Sequence, residues 1–144
     1  MKRLVLSISL ILLYSLSSIA AHIIGGEMRY TYMGPGASPN SKLYRITLLL
    51  FKGDDPTGAP LAASYVVGVY NNDNGQKMPG PAANGNFLVL QDNLQSVPII
   101  LPICIQGAPV LNYTYATYTT TIELPDNSDG YTVAYQTCCR INGM

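Results

Sequence analysis

The run Tyr113-Thr114-Tyr115-Ala116-Thr117-Tyr118-Thr119-Thr120-Thr121-Ile122-Glu123-Leu124 decides the fold class. It is followed by Pro125-Asp126-Asn127-Ser128-Asp129-Gly130 and then by Tyr131-Thr132-Val133-Ala134-Tyr135-Gln136-Thr137-Cys138-Cys139. Both long runs are rich in tyrosine and threonine, whose flat or branched side chains suit a pleated, half-buried surface. The six residues between them are turn formers, so the pattern predicts two strands joined as a hairpin.

Working upstream, the same period of two recurs and no long helical period appears. Met28, Tyr30 and Tyr32 alternate with Glu27, Arg29 and Thr31 in a half-buried first strand. In the second, Tyr44, Ile46, Leu48 and Leu50 share one face, with Leu43, Arg45, Thr47 and Leu49 on the other. A short third run covers 65–70 and ends in Asn71-Asn72-Asp73-Asn74-Gly75, whose Asn-Gly step is a strong tight-turn signal. A fourth strand is expected over 87–90 and a fifth over 97–105, where Pro98 and Pro102 favour a sheet edge. Seven such strands predict an all-β fold, an antiparallel immunoglobulin-like β-sandwich. Its core is expected to take Tyr44, Ile46, Leu48, Leu50, Val67, Val69 and Val133.

The start of the chain adds a destination. Lys2 and Arg3 precede an apolar stretch that ends in Ser18-Ile19-Ala20, the arrangement of a cleaved export signal. The expected division is a signal peptide over 1–20, with Ala21 as the alternative cleavage position, and a β-sandwich domain over 21–144. With no closing strand after the cysteine pair, that domain reads as incomplete at its C-terminus, a fragment of a longer protein. The apolar stretch is shorter than the roughly 20 residues a spanning helix needs, so no membrane span is expected after cleavage. Of eight basic residues, Lys2 and Arg3 lie in the leader, leaving a net charge of −2 against eight acidic ones. That balance argues against nucleic acid as a partner. The expected location is the cell surface or the medium.

Export also changes how the three cysteines, Cys104, Cys138 and Cys139, are read. Adjacent strand residues point to opposite faces, so Cys138 and Cys139 do not share one partner position. One disulfide is expected, from Cys104 to either Cys138 or Cys139. Three thiols and a distant His22 make a poor zinc set, and no metal or cofactor is expected.

No residue set declares a reaction. Ile23-Ile24-Gly25-Gly26 looks like the start of a trypsin-type protease, but the single histidine, His22, precedes it and no nucleophile segment follows. Gly53-Asp54-Asp55 and Asn71 to Gly75 lack the ligand spacing of a calcium loop and read as turns. Asp126 and Asp129 flank a turn and read as solvating groups. Tyr113 and Tyr115 lie on one strand face and Tyr118 on the other; packing is the favoured reading, with a sugar- or surface-binding platform as the rival. The chain therefore reads as non-enzymatic, with no catalytic residues to name.

Three segments, taken together and in order, carry a resemblance. They are His22-Ile23-Ile24-Gly25-Gly26-Glu27-Met28-Arg29-Tyr30, then Leu43-Tyr44-Arg45-Ile46-Thr47-Leu48, then Tyr131 to Asn142 with its Cys138-Cys139-Arg140. The chain resembles the N-terminal region of Bacteroidota surface proteins termed gliding-motility-associated or type IX secretion C-terminal-domain proteins. The resemblance implies a sandwich that leads a multidomain chain, with downstream domains, surface glycans or other cell-surface proteins as partners. It departs from that family at Phe51-Lys52-Gly53-Asp54 and ahead of Cys104, where further cysteines are common; the adhesive reading expects repeats and a sorting domain beyond Met144. The expected function is a non-catalytic module of an exported cell-surface protein, adhesive or gliding-associated. The alternative is an accessory carbohydrate-binding module of a secreted hydrolase. A third reading is a pilus or stalk subunit that pairs by strand addition.

These expectations meet in one measurement. Peptide mass spectrometry of envelope-derived protein, alkylated without reduction, should give an N-terminus at Ala21 and a single modified cysteine. Three modified cysteines would remove the disulfide, and a retained Met1 would remove the leader.

Overall fold

Strand-forming sequence becomes strand almost throughout. The computed structural model describes residues 23–53, 58–98 and 112–137. It contains β1 (Ile23–Pro35), β2 (Ser41–Gly53), β3 (Ser64–Asn71), β4 (Phe87–Pro98), β5 (Asn112–Pro125) and β6 (Tyr131–Ala134), with one short 3₁₀ turn at Ala83–Gly85. Among the described residues no helix is long and apolar enough to cross a membrane. The strands form an antiparallel sheet in the order β1-β2-β5-β4-β3-β6, curled into a half-barrel.

β3 produces the curl. Its first half, from Ser64 to Val67, pairs with β4, while its second half, from Gly68 to Asn71, pairs with β6. Val67 and Val69 are fully buried on either side of that change of partner. They carry the chain over the concave face, so that β6 lies above the inner residues of β2 and β5.

The concave face is the core. Ile46, Leu48 and Leu50 of β2 are buried, as the alternating pattern predicts, and face Ala116, Tyr118, Ile122 and Leu124 of β5. Tyr44 and Val133 are half-buried at its rim. Tyr118 settles the packing question for its face of β5: its ring is wholly buried and meets Tyr65 edge-on at 5.0 Å. Its hydroxyl donates to the Ala62 carbonyl at 3.0 Å and accepts from Gln91 Nε2 at 3.3 Å. Burial pushes that hydroxyl's pKa up to about 12, so it stays a neutral donor.

Several expectations are corrected. The hairpin expected from the Tyr113 and Tyr131 runs has its turn but not its pairing, because β6 pairs with β3. β2 holds one edge of β5 from Tyr113 to Pro125, and β4 holds the other from Asn112 to Thr119. A nine-residue return alongside β5 would have to displace β4 from Ala116 to Thr119. Folding over the face instead places Tyr131 and Val133 against Ile46, Ile122 and Leu124. The fourth strand runs on to Pro98, absorbing Val97 and Pro98 from the expected fifth, with a bulge between Gln91 and Asn93. The rest of that expected fifth strand, including Pro102 and Cys104, lies outside the described residues.

The turns obey local chemistry. After Asn71, the Asn71 and Asn74 side chains accept from the amides of Asp73 and Gln76, and Gly75 takes a positive φ of 69°. Between β1 and β2, Asn40 has a φ of 56° and Gly36 lies so close to Ser41 Oγ and Glu123 that a β-carbon there would clash. Glu123 of β5 pins this turn: its Oε1 lies 2.6 Å from Ser41 Oγ and accepts the Ser38 amide at 2.7 Å.

Two outcomes follow. Leu48→Ala should cost about 2–5 kcal/mol in urea denaturation, since it opens a cavity in the core that Leu48 shares with Leu50, Val67, Val89 and Tyr118; a cost below about 1 kcal/mol would place Leu48 outside the core. The Ser41 hydroxyl first, and then the Ser38 amide, hold the Glu123 pKa down at about 2 against an ordinary 4.5. Because the folded pKa is depressed, the stabilisation is complete above 4.5 and is lost as the pH falls towards 2. The melting-temperature gap between the parent and Glu123→Gln should therefore narrow across that window. A gap that is constant with pH would refute it.

Candidate functional site

Curling brings the two ends of the sheet into view of each other. β1 and β6 each have one unpaired edge among the described residues, and a cleft runs between them. Its upper lobe, about 480 Å³, lies between Met28, Arg29 and Tyr30 of β1 and Asp129 to Val133 around β6, with Tyr44, Ile46 and Leu124 as its floor. The lower lobe, about 590 Å³, lies between Ile23 to Met28 and Val133 to Thr137, above Leu48 and Leu50. Met28 and Val133 line both lobes.

The register of β1 against β2 places the site's aromatic rings. Met28 opposes Leu48, Tyr30 opposes Ile46 and Tyr32 opposes Tyr44, so all three β1 side chains share the core-facing side of the sheet. Yet Tyr30 is 75% exposed and Tyr32 55%. β6 spans only four residues and leaves this end of β1 uncovered among the described residues. Tyr44 anchors the pair: Tyr30 meets it edge-on at 6.3 Å and Tyr32 lies tilted at 5.8 Å.

Across the cleft, Tyr131 presents its ring while its hydroxyl donates to the Pro125 carbonyl at 2.9 Å. Burial raises its pKa, so it too remains a neutral donor. The polar groups at the mouth are few. Arg29 Nε pairs with Glu27 Oε1 at 2.8 Å, with both side chains more than half exposed, so the pair contributes little stability. Flat apolar walls with sparse polar groups bind the faces of sugar rings or an extended peptide; they offer little to general acid–base chemistry.

The residues singled out from sequence are distributed as follows. Cys104, Cys138 and Cys139 lie outside the described residues, as does His22. Asp126 forms an ion pair with Lys42 at 2.7 Å, and Asp129 stands at the upper rim of the cleft. Tyr118 is core, whereas Tyr113 and Tyr115 lie on the convex face, where both meet Phe51, at 5.9 and 6.3 Å. Among the described residues no group of three histidine, cysteine or acidic side chains converges as a metal site. Sequence reading missed the set of Tyr30, Tyr44 and Tyr131, because Tyr131 on β6 lies far along the chain from the β1–β2 pair that carries the other two. The one available signal was the second tyrosine of Arg29-Tyr30-Thr31-Tyr32, an aromatic pair on one face of an edge strand. No family model, curated protein or solved structure matches this chain.

Proposed function

We propose that the chain is a non-catalytic module of an exported cell-surface protein, adhesive or gliding-associated, which holds its partner in the cleft between β1 and β6. The observation that carries this reading is Tyr30, an aromatic ring 75% exposed on the side of β1 that elsewhere forms core. Leaving such a ring in water forgoes the burial that its neighbours enjoy, about 1.5–3 kcal/mol for a large apolar side chain. A ligand's apolar face would recover it. A surface glycan suits the site best, because a pyranose ring offers a flat C–H face and a polar rim to tyrosine. Export rests on Lys2, Arg3 and the apolar leader that ends at Ala20.

In this reading the half-barrel is the greater part of an immunoglobulin-like sandwich, with β3 passing from one layer to the other. The cleft equally serves the second reading, an accessory carbohydrate-binding module of a secreted hydrolase. The two differ in where the ligand resides: on cells for an adhesive module, in insoluble polysaccharide for an accessory one.

Binding of the exported protein to a glycan array and to whole cells tests the proposal. Retention on one glycan class is expected, with Tyr30→Ala and Tyr44→Ala each weakening it about tenfold or more, which corresponds to about 1.4 kcal/mol or more. Binding unchanged in both variants, or no binding by the parent to cells or glycans, would overturn it. Surface labelling of intact cells should also reach the protein; labelling only after lysis would overturn export to the surface.

A further inference from the structure

β1 has a property besides walling the cleft. Its regular part, between register shifts at Ile24 and Met33, offers one free edge among the described residues, and four of the exposed large apolar side chains sit on this strand: Ile24, Tyr30, Tyr32 and Met33. Natural sheets blunt such an edge with lysine, proline or an inward-pointing charge. Here the strand's two charges, Glu27 and Arg29, point to the convex side, in register with Leu49 and Thr47, and its proline waits until Pro35.

The charge pattern selects an occupant. Consider two copies of β1 paired antiparallel about a two-fold axis at Met28. Glu27 then faces Arg29 of the second copy, and Arg29 faces its Glu27, so the ion pair now closed within one strand is made twice across the axis. On the concave side Tyr30 lies opposite Gly26 of the second copy, an aromatic ring over an edge glycine. Opposed residues must lie on the same face of the extended sheet, so the register can slip only in steps that move the axis by one residue. Centring it on Glu27 opposes two glutamates, and centring it on Arg29 opposes two arginines; like charges directly opposite are destabilising. Only the Met28-centred register sets each glutamate against an arginine, and it is self-complementary, as a two-fold interface requires.

We infer that β1 is a dimerisation edge, through which a second copy of this chain extends the sheet in the Met28-centred register. This edge is also a wall of the cleft, so a second copy and a glycan would compete for it; the dimer is therefore read without glycan, and its failure is separate from a failure of glycan binding.

Light scattering on the exported protein over roughly a hundredfold range of concentration reads the equilibrium directly. The parent should dimerise. Glu27→Arg alone sets arginine against arginine, and Arg29→Glu alone sets glutamate against glutamate, so each should weaken the dimer about tenfold or more. Mixing these two variants restores both pairs across the axis and should recover a heterodimer, as should placing both substitutions in one chain. Both side chains are largely exposed, and the mixture would in any case show that each variant folds. A monomeric parent, two single variants that dimerise as the parent does, or a mixture that fails to recover would overturn the inference.

Discussion

Between Tyr113 and Thr119, β5 is held on both edges, by β2 on one side and β4 on the other. Most of the architecture depends on this. A strand with both edges taken cannot receive the chain that returns after Gly130. That chain crosses the concave face and finds the far half of β3 instead. The sheet then has to curl, since its sixth strand lies over its second. The curl encloses the core of Ile46, Leu48, Leu50, Ala116, Tyr118 and Ile122 without closing into a barrel. Closure would satisfy every edge; the half-barrel leaves those of β1 and β6 unpaired among the described residues.

The inner face is held by more than apolar contact. Tyr118 joins three segments at one point, because its ring fills the space beneath Tyr65 while its hydroxyl reaches Ala62 and Gln91. A buried phenol without those partners would carry a desolvation cost of about 1–3 kcal/mol. Phenylalanine would keep the ring contacts but lose the hydrogen bonds to Ala62 and Gln91. The side-chain identity at this position therefore fixes how the segment before β3 approaches β4, and with it where β3 begins to change layers.

How much was legible in the sequence depended on the range of the interaction involved. Ile46, Leu48 and Leu50 could be assigned to the core because burial on one sheet face has a period of two and needs no knowledge of the partner strand. The turn after Asn71 was legible for a similar reason, since its hydrogen bonds close within five residues. The pairing of β6 was not. Its turn residues from Pro125 to Gly130 reverse the chain, but competition with β4 for the edge of β5 decides what the reversed chain pairs with, and that is a property of the whole sheet. Tyr30 failed in another way: alternation correctly put it on the core-facing side, yet whether that side is covered depends on the length of β6. Cys104, Cys138 and Cys139, the residues on which sequence reading relied most for a staple, lie outside the described residues.

The cleft's upper rim is fixed by two loops that brace each other. Asp73 Oδ1 accepts the Asp129 amide at 3.0 Å and the Ser128 hydroxyl at 3.1 Å. Asn72 donates to the Asp129 carbonyl at 3.0 Å and accepts from Thr132 Oγ1 at 2.8 Å. Within the second loop, Asn127 Oδ1 receives the amides of Asp129 and Gly130. These contacts lock the segment that carries Tyr131 before any partner arrives. On the opposite wall, Tyr44 lies in a strand paired along both edges and buttresses Tyr30 and Tyr32. A partner in the proposed site would therefore meet rings whose positions are already set, and the ordering of the walls would not have to be drawn from its binding free energy. A recognition surface built on strand rims in this way can combine exposure with rigidity, which loops of the same composition would achieve only by being ordered on contact.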